Sequence, residues 1–569
     1  MKFLQALCYL SAALSIVLLT ACAEPKSVDT KPNVLLIVVD DAGYSDFGAY
    51  GSEIDTPTID ALANDSVVFS QFHVTPSCST TRGSLLTGMD PHRTGKGTHA
   101  VGTENQLDKP GYEGYLNDRV ATIAEVMKGA GYRTAMTGKW HMGNKDKATW
   151  PISRGFDKSY VLLNGGASHW QDNLPLVPGK PSLYSDNGEL VKKLPEGFYS
   201  TTNYTDKMIE FVSKEDGSDK PFFGYLAYTA PHNPLHAPEE LIEKYEDLYQ
   251  GGWDQLQKTR LQGLKAKGFI ADDVAMQQRP EFIMAWSELS TDEKANAARD
   301  MAVYAAMVDA VDQSLTRLFT HLKQQGLYDN TLIILMSDNG PSKTTMADYV
   351  KLGTGGDAFI KSFNNQFQNR GLPGSSVDLG PGWAYGLAAP FKMMKGYPSQ
   401  GGILSPLIVK LPKSYKPKAE KVKAVTHVMD IMPTILDFAG ADHPANVASS
   451  ELLKMQGESL LPLLTTNDVS GWQQRGFGGE LFGMRYYRLG DWKALYMPVP
   501  YGNGDWQLYN IANDPAESNN VSTEFPEKLR SLIASWEQYA EINGVVEPNR
   551  PIAYAVPPKK KADTHNMPE

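Results

Sequence analysis

An apolar run close to the N-terminus, Asn33 to Val39, constrains the fold of this chain more than any other stretch. It reads Asn-Val-Leu-Leu-Ile-Val-Val, without polar alternation, which is typical of a parallel strand buried on both faces. The run stops abruptly at Asp40 and Asp41. Ligands of open α/β sheets bind beyond the carboxyl ends of strands, so this acidic pair is predicted to lie at a binding edge.

Further apolar runs alternate with helical patterns along the chain, which predicts an α/β fold. Strands are expected at 133–136, 222–228, 331–336 and 406–409, and helices at 57–63, 118–129, 205–213 and 430–440. Ser290 and Glu293 form a capping box at the start of a long helix that extends to Gly326. Residues 239–289 are interpreted as an insertion of helices, and residues 144–200 as loops near a pocket.

The length of the chain and a change in pattern near its end predict two domains. With 569 residues the chain is too long for one small core, so a large α/β domain with a smaller companion is expected. From about residue 475 the pattern changes to short aromatic strands at 484–488, 492–496 and 506–509, followed by a helix from Pro526 to about Ile542. We predict a large domain over 33–440, a small sheet-plus-helix domain over 441–556, and a disordered tail over 557–569.

The first residues are predicted to be a targeting segment. Lys2 supplies a positive end, residues 3–19 are almost wholly apolar, and Leu19-Thr20-Ala21-Cys22 resembles a bacterial lipobox. This predicts a lipoprotein signal peptide over 1–22, lipidation of Cys22, and a polar tether over 23–32. A plain secretory signal and an uncleaved anchor are the alternatives, and all three export the protein. Ala23 favours the outer membrane, so we expect a protein of the periplasm or cell surface that touches the membrane only through its lipid.

Cysteine usage isolates one thiol in the folded part of the chain. Cys8 lies in the signal peptide and Cys22 at its end, which leaves Cys78 alone and excludes a disulfide within the fold. A sole thiol in an exported protein is a candidate for reactivity or modification. The formal net charge of −11 gives no reason to expect nucleic-acid binding.

Cys78 opens a stretch of small hydroxyl residues, Cys78-Ser79-Thr80-Thr81-Arg82, and an apolar run then ends at Gly88. Small polar residues cap helices, so we expect Cys78 at a helix N-terminus, where backbone amides and the dipole favour negative charge. Arg82 returns to the same side one turn later. For an isolated cysteine, a buried structural role is the commoner interpretation.

Two predicted strand ends supply oxygen ligands. Asp40 and Asp41 follow the first strand, and Asp338 and Asn339 follow the strand at 331–336. Three carboxylates and an amide suit a hard divalent cation, Ca²⁺ somewhat better than Mg²⁺. Either pair alone is more often a loop with solvated acids or a helix cap, but two pairs at two strand ends favour a metal site. The histidines are scattered and the cysteines few, which argues against zinc.

Two lysines and two histidines follow predicted strands or lie in a loop before one: Lys139, His141, His232 and Lys395. Individually, each is more often a surface lysine or a hydrogen-bonded histidine than a catalyst. Together with Arg82 and a divalent cation they describe a pocket for a tetrahedral oxyanion ester, whose charge must be neutralised and whose leaving group must be protonated.

These motifs together resemble the type I, formylglycine-dependent sulfatases, and are closest to the bacterial arylsulfatases. The resemblance extends from Asn33 to about Pro515. It rests on the Cys78–Arg82 signature, the Gly138-Lys139-Trp140-His141 loop, the Pro231-His232 loop, and Lys395-Gly396 followed by Gly401-Gly402. It implies an alkaline phosphatase-like α/β fold, with a large mixed sheet flanked by helices and a small C-terminal α+β domain, and makes residues 33–440 the catalytic domain.

The resemblance also implies roles for the candidate residues. A maturation enzyme would oxidise Cys78 to formylglycine, whose hydrate attacks sulfur while bound to Ca²⁺. The implied calcium ligands are Asp40, Asp41, Asp338, Asn339 and the modified residue 78. The implied catalytic roles are sulfate neutralisation by Lys139 and Lys395, protonation of the leaving alcohol or phenol by His232, orientation of the hydrate by Arg82 and Lys139, and removal of its second proton by His141.

The sequence departs from the family pattern at three positions. Thr80 stands where Pro or Ala is usual, Thr81 where Ser is common, and Gln400 where Glu is frequent. The position of Thr80 bears directly on how Cys78 is recognised for conversion.

The predicted function is that of a sulfuric ester hydrolase of the arylsulfatase type. Loops at 160–190 and 355–390 are expected to hold an aryl group or a sulfated sugar, so a carbohydrate sulfatase of the same mechanism stays open. A phosphonate monoester or phosphodiester hydrolase on the same scaffold is a second alternative. A non-catalytic lipoprotein that binds sulfated glycans is a third, and would apply if Thr80 prevented conversion of Cys78.

Overall fold

The computed structural model describes residues 31–99, 102–214, 218–447 and 450–552. The predicted signal peptide, Cys22, residues 23–30 of the tether and the predicted tail over 557–569 lie outside these ranges, and what we expect of them stays a prediction. Within the described ranges, every helix is too short or too polar to span a bilayer.

A mixed sheet of ten strands forms the centre of the molecule. The strands in chain order are β1 (Asn33–Val39), β2 (Val67–Phe69), β3 (Phe72–His73), β4 (Arg133–Lys139), β5 (Lys158–Leu162), β6 (Tyr184–Asp186), β7 (Glu189–Leu190), β8 (Phe222–Ala227), β9 (Thr331–Ser337), β10 (Leu407–Lys410), β11 (Lys421–Val422), β12 (Thr426–His427), β13 (Gly476–Leu481), β14 (Met484–Leu489), β15 (Trp492–Tyr496) and β16 (Trp506–Asn510). The large sheet has the order β11-β2-β10-β9-β1-β8-β4-β5-β6-β7. Strands β3 and β12 form a small pair, and β13 to β16 form a separate four-stranded sheet.

Strand β1 lies in the middle of the large sheet. It is parallel to both neighbours, with Val34 opposite Phe223 of β8 and Leu332 of β9. Strand β4 continues the parallel arrangement beyond β8, whereas β10 is antiparallel to β9. Every residue of β1 is buried, which confirms the prediction of a strand covered on both faces. The carboxyl ends of β1, β4, β8 and β9 therefore meet at one edge of the sheet.

Helices cover both faces of the sheet. In chain order they are α1 (Pro57–Asn64), α2 (Cys78–Thr87), α3 (Pro91–Thr94), α4 (Ile123–Gly129), α5 (Ser200–Val212), α6 (Glu239–Tyr245), α7 (Gly252–Ala266), α8 (Thr291–Gln324), α9 (Met346–Val350), α10 (Gly356–Lys361), α11 (Gly380–Ala388), α12 (Gln400–Ile403), α13 (Ile431–Ala439), α14 (Leu461–Thr465) and α15 (Pro526–Asn543). Leu35 and Ile37 of β1 belong to an apolar cluster that includes α8. Their neighbours Val34 and Leu36 belong to a second cluster that includes α2 and α13. This alternation is the period of two expected of a strand between two helical layers.

The predicted start of the long helix is confirmed, and two other predictions about elements are wrong. Ser290 accepts a hydrogen bond from the amide of Glu293, and α8 begins at Thr291. Helix α4 begins at Ile123 instead of residue 118, because Thr122 and Glu125 form the capping box there. Residues 144–200 are not only loops, since they contain β5, which pairs with β4, and the β6–β7 hairpin.

The C-terminal part is an antiparallel sheet, β13 to β16, with α15 packed on it. Phe477, Met484 and Leu495 of this sheet belong to the same apolar cluster as Leu35 of β1. The small sheet therefore shares a core with the large one.

Candidate active site

Four strand ends and one helix N-terminus meet at the carboxyl edge of the large sheet. Direct contacts or short separations join all ten predicted side chains of the folded part: Asp40, Asp41, Cys78, Arg82, Lys139, His141, His232, Asp338, Asn339 and Lys395. Cys22 lies outside the described residues. The order of the strands explains this convergence, because the adjacent strands β9, β1, β8 and β4 end in these residues or in the loops that carry them.

Cys78 is the first residue of α2, as predicted, and its thiol is free and buried. Its Sγ lies 3.6 Å from Nδ1 of His141. Burial raises the pKa of the Cys78 thiol above its usual value. The helix ends at Gly88, whose φ of +66° is the left-handed conformation that favours glycine.

Hydroxyl groups hold the backbone around Cys78. Thr80 donates from Oγ1 to the carbonyl of Ser77 at 2.8 Å and lies 2.5 Å from Oγ1 of Thr75. Thr81 donates to the carbonyl of Thr75 and accepts from its amide. Thr80 is therefore engaged with residues before the helix and is not among the residues that line the pocket described below.

The predicted metal ligands lie close together in two overlapping groups. Ligand atoms of Asp40, Asp338 and Cys78 lie within 4.8 Å of one another, and so do those of Asp40, Asp41 and His232. Oδ1 of Asp40 and Oδ1 of Asn339 are buried without a hydrogen-bond partner in the described part of the chain. Buried oxygens of this kind need a partner, and two of them beside two further carboxylates fit a divalent cation such as Ca²⁺.

Two lysines pair with these acids. Nζ of Lys139 lies 2.5 Å from Asp40, and Nζ of Lys395 lies 2.7 and 2.8 Å from the two oxygens of Asp41. Burial, followed by the charge of Asp338, raises the pKa of Asp40 to about 8. Burial also acts to raise the pKa of Asp41, but Lys395, His232 and Lys139 together hold it below its usual value.

Arg82 is wholly buried and binds the scaffold of the site. Its Nη2 lies 2.8 Å from Asp338, and its Nη1 donates to the carbonyl of Lys139 at 3.1 Å and to the Tyr225 hydroxyl at 3.4 Å. The Arg82 guanidinium therefore holds in place both Asp338, a predicted metal ligand, and the end of β4.

The two predicted histidines are held in defined orientations. Nδ1 of His232 donates to the carbonyl of Asn233 at 2.5 Å, because a carbonyl can only accept, and Nε2 lies 3.7 Å from Asp41. His141 has a φ of +60°, and a Cβ at Gly165 would lie 2.7 Å from its ring, so glycine is required there. Burial first, and then neighbouring lysines, lower the pKa of both imidazoles well below the usual value.

Sequence reasoning missed His99, which also lines the pocket. Its Nδ1 lies 2.9 Å from Oγ of Ser77 and 3.1 Å from Oγ of Ser79, the two neighbours of Cys78. Its ring stands edge-on to that of His141, with 5.4 Å between ring centroids. His99 follows no apolar strand and belongs to no recognisable motif, so the sequence carries no signal for it.

A small pocket of about 100 Å³ opens from Cys78 to the surface. Its lining residues are Cys78, His99, His141, Asn164, Gly165, Gly166, Leu176, Val177, Lys180, Ser182, His232, Tyr349 and Leu352. The predicted loop region 160–190 thus contributes to the pocket. Residues 355–390 do not appear in this lining, and Tyr349 and Leu352, which precede them, take that place.

Comparisons with known proteins agree with this geometry. Residues 32–441 match the family model for sulfatases, and residues 395–538 match the C-terminal model of N-sulphoglucosamine sulphohydrolase. An uncharacterized sulfatase of Schizosaccharomyces pombe is 39% identical over 545 residues, which cover 91% of this chain and 94% of that protein. An arylsulfatase of Klebsiella aerogenes is 36% identical over 455 residues, covering 79% of this chain and 95% of that protein.

Solved structures show the same fold. The crystal structure of Ps i-CgsB in complex with k-i-k-neocarrahexaose aligns with a TM-score of 0.64 and 26% identity, covering 90% of this chain and 93% of that one. The putative sulfatase yidJ of Bacteroides fragilis aligns with a TM-score of 0.61 and 19% identity, covering 94% of this chain and 99% of that one. The predicted fold class, alkaline phosphatase-like α/β, is confirmed.

Proposed function

This chain belongs to the sulfatase family and is a sulfuric ester hydrolase, and we propose that it hydrolyses aryl sulfates through a formylglycine made from Cys78. The position of Cys78 carries the proposal. It is buried at the inner end of the pocket, at the first residue of a helix, with its thiol facing the imidazole of His141. A buried structural cysteine would not need catalytic side chains around it.

Two groups would complete this site. Formylglycine at position 78 supplies, when hydrated, a nucleophilic hydroxyl and a second hydroxyl whose deprotonation allows sulfate to leave. Ca²⁺ held by Asp40, Asp41, Asp338 and Asn339 supplies positive charge beside the reacting ester. The unpartnered oxygens of Asp40 and Asn339 support this assignment.

The lysines are assigned to charge neutralisation and the histidines to proton transfer. Lys139 and Lys395 provide fixed positive charge for the sulfate oxygens. The neutral imidazole of His141 is ready to accept a proton from a hydroxyl on residue 78, because its Nδ1 already faces that side chain.

His232 is placed to act as the acid. With Nδ1 bound to the carbonyl of Asn233, its Nε2 is the atom that can carry a proton to the leaving oxygen. Burial first, and then the charges of Lys395 and Lys139, lower the pKa of this imidazole and keep it neutral in the absence of substrate. An anionic ester bound between these lysines would offset their charges and favour protonation of His232.

The walls of the pocket favour an aryl leaving group. Leu176, Val177, Tyr349 and Leu352 form a largely apolar surface outside the reacting residues. The Klebsiella relative, 36% identical, bears the name arylsulfatase. A carbohydrate sulfatase is the second candidate, because Asn164 and Ser182 add polar groups to the lining and the structure of Ps i-CgsB holds k-i-k-neocarrahexaose.

Mass spectrometry and a sulfatase assay test the proposal together. After coexpression with a formylglycine-generating enzyme, the Cys78 peptide should carry an aldehyde, and the protein should hydrolyse 4-nitrophenyl sulfate. Chelation should abolish turnover, and Ca²⁺ should restore it better than Mg²⁺. Cys78→Ala should lower kcat by at least roughly 10⁴-fold, as expected for loss of a nucleophile.

Three results would contradict the proposal. One is equal sulfate release by wild-type protein and Cys78→Ala. Another is faster hydrolysis of a matched phosphonate monoester than of the sulfate, which would favour the phosphonate alternative. The third is sulfate release from sulfated oligosaccharides but not from aryl sulfates, which would favour the carbohydrate sulfatase.

A further inference from the structure

The pocket that contains Cys78 has a further positive group at its exposed end. Lys180 lines the same pocket as Cys78, His141 and His232, but it is exposed to solvent. Within the described residues, its ammonium has no carboxylate within ion-pair distance, unlike Lys139 and Lys395. No Asp or Glu occurs among the described lining residues.

The backbone that carries Lys180 is fixed in place. Its amide donates to the carbonyl of Val177 at 3.1 Å, and the neighbouring carbonyl of Pro178 accepts from the amide of Thr354 at 3.2 Å. Gly179 has a φ of +75°, and a Cβ there would lie 2.6 Å from the Thr354 hydroxyl. The segment before Lys180 thus packs against the segment after α9, and Tyr349 of α9 and Leu352 of that segment also line the pocket.

The two ends of the pocket therefore differ in what they offer an ester. The buried end holds the groups proposed to act on sulfate, the walls include apolar side chains, and the exposed end presents an ammonium without a carboxylate partner among the described residues. A substrate whose only negative group is the ester sulfate would make no ion pair with Lys180.

We propose that Lys180 selects sulfate esters whose leaving group carries a second negative charge. This inference rests on the proposed function. The shared chemistry is an anionic substituent at the far side of the leaving group. It can come from a carboxylate on an aryl ring or from a second sulfate on a sugar.

Matched substrate pairs test the selection. The aryl pair is 4-carboxyphenyl sulfate and 4-carbamoylphenyl sulfate, which differ by one charge. The sugar pair is a disulfated disaccharide and its monosulfated form. For each pair, the ratio of kcat/KM for the more anionic over the less anionic substrate is measured in wild-type protein, Lys180→Gln, Lys180→Arg and Lys220→Gln.

Lys220 is the matched control because it is exposed and precedes β8, at the end of that strand opposite to the site. Lys180→Gln is expected to lower the ratio about three- to fivefold in at least one pair, the size of an exposed ion pair, and Lys180→Arg is expected to retain it. The effect should shrink at high salt, because exposed charges are screened. The pair that responds identifies the source of the second charge.

An unchanged ratio in both pairs for Lys180→Gln would overturn the inference, and so would an equal loss in Lys220→Gln, which would mean that only net charge matters. Failure of the proposed function looks different: neither member of either pair would release sulfate in a Cys78-dependent manner.

Discussion

At the scale of single residues, the environment of Cys78 depends on hydroxyl groups and one imidazole. Thr80, which departs from the pattern expected of the family, is bonded to Ser77 and Thr75 and does not line the pocket. Ser77 and Ser79, on either side of Cys78, both meet Nδ1 of His99. Thr80 therefore contributes to the hydrogen bonds at the start of α2, whereas His99 contacts both neighbours of Cys78.

Replacing His99 should slow turnover without removing any group that the reaction consumes. His99→Leu removes the partner of two hydroxyls beside residue 78, and each such hydrogen bond is worth about 1 kcal/mol, so we expect kcat to fall roughly tenfold. His99→Asn places an amide oxygen near the position of Nδ1 and should recover most of the loss. The measurement is kcat and KM per formylglycine-containing molecule, with thermal unfolding as the check on folding.

A positioning role for His99 requires that the two variants differ. Equal loss in His99→Leu and His99→Asn, or a change confined to KM, would contradict it and would make His99 a contact for the leaving group instead.

At the scale of elements, long apolar runs and the polar residues that follow them were predictable from sequence. Strand β1 has the predicted limits, and the acids and histidines at strand ends meet because parallel strands end at one edge. Strand β5 was not predictable, because it is short and begins with Lys158 and Ser159, and its burial comes from pairing with β4. His99 reaches the pocket from a loop, and no local sequence pattern predicts the path of that loop.

The loop after β8 is joined to helix α9 by one asparagine. Nδ2 of Asn233 donates to Asp378 at 3.2 Å, and its Oδ1 accepts from the hydroxyl of Tyr349 at 3.2 Å. The backbone carbonyl of the same residue holds Nδ1 of His232. Asn233 thus links the predicted acid to a wall of the pocket.

Asn233→Ala should therefore affect the protonation of the leaving group. Loss of two hydrogen bonds frees the carbonyl that orients His232, and we expect kcat to fall roughly tenfold. The loss should be largest for phenols of high pKa, which need the acid most. The measurement is a plot of kcat against leaving-group pKa, compared with that of Tyr349→Phe, which removes the hydrogen bond to Oδ1 of Asn233 and leaves the bond of Nδ2 to Asp378 in place. Parallel lines for wild-type protein and Asn233→Ala would refute the link.

At the scale of the whole molecule, the C-terminal part of the chain binds the loop that carries Lys395. Lys493 of β15 donates to the carbonyl of Pro398 at 2.6 Å and pairs with Glu517 at 2.7 Å. Glu517 in turn accepts from the amide of Gln400. The loop that carries Lys395 is therefore anchored on the C-terminal part of the chain.

A buried histidine joins the same two parts at another point. Nδ1 of His92 lies 2.8 Å from Asp90 in the large domain, and its Nε2 lies 3.2 Å from Glu480 of β13. Burial acts to lower the pKa of His92, but Asp90 and Glu480 outweigh it and raise the value to about 9. His92 is therefore charged at neutral pH and bridges two carboxylates across the interface.

This bridge should make stability fall as the solution becomes alkaline. The folded state binds the His92 proton more tightly than the unfolded state, so the stabilisation is complete below pH 6.5 and is lost as pH rises through about 9. The size of the contribution is about 3 kcal/mol, from roughly 2.5 pH units at 1.36 kcal/mol each. Lys493, whose pKa is lowered by burial to about 8, titrates in the opposite sense, so the informative quantity is the difference between wild-type protein and a His92 variant.

Urea unfolding at pH 6.5, 7.5 and 9 measures that difference. His92→Asn should be less stable than wild-type protein at pH 6.5, and the gap should narrow steadily toward pH 9. Glu480→Gln keeps the shape of the partner but removes its charge. The difference in unfolding free energy between wild-type protein and Glu480→Gln should therefore also decrease toward pH 9, but by a smaller amount. If the difference in unfolding free energy between wild-type protein and His92→Asn stays constant from pH 6.5 to 9, His92 is neutral in the folded protein. The large sheet and the C-terminal sheet would then be held together by their shared apolar core without this charge.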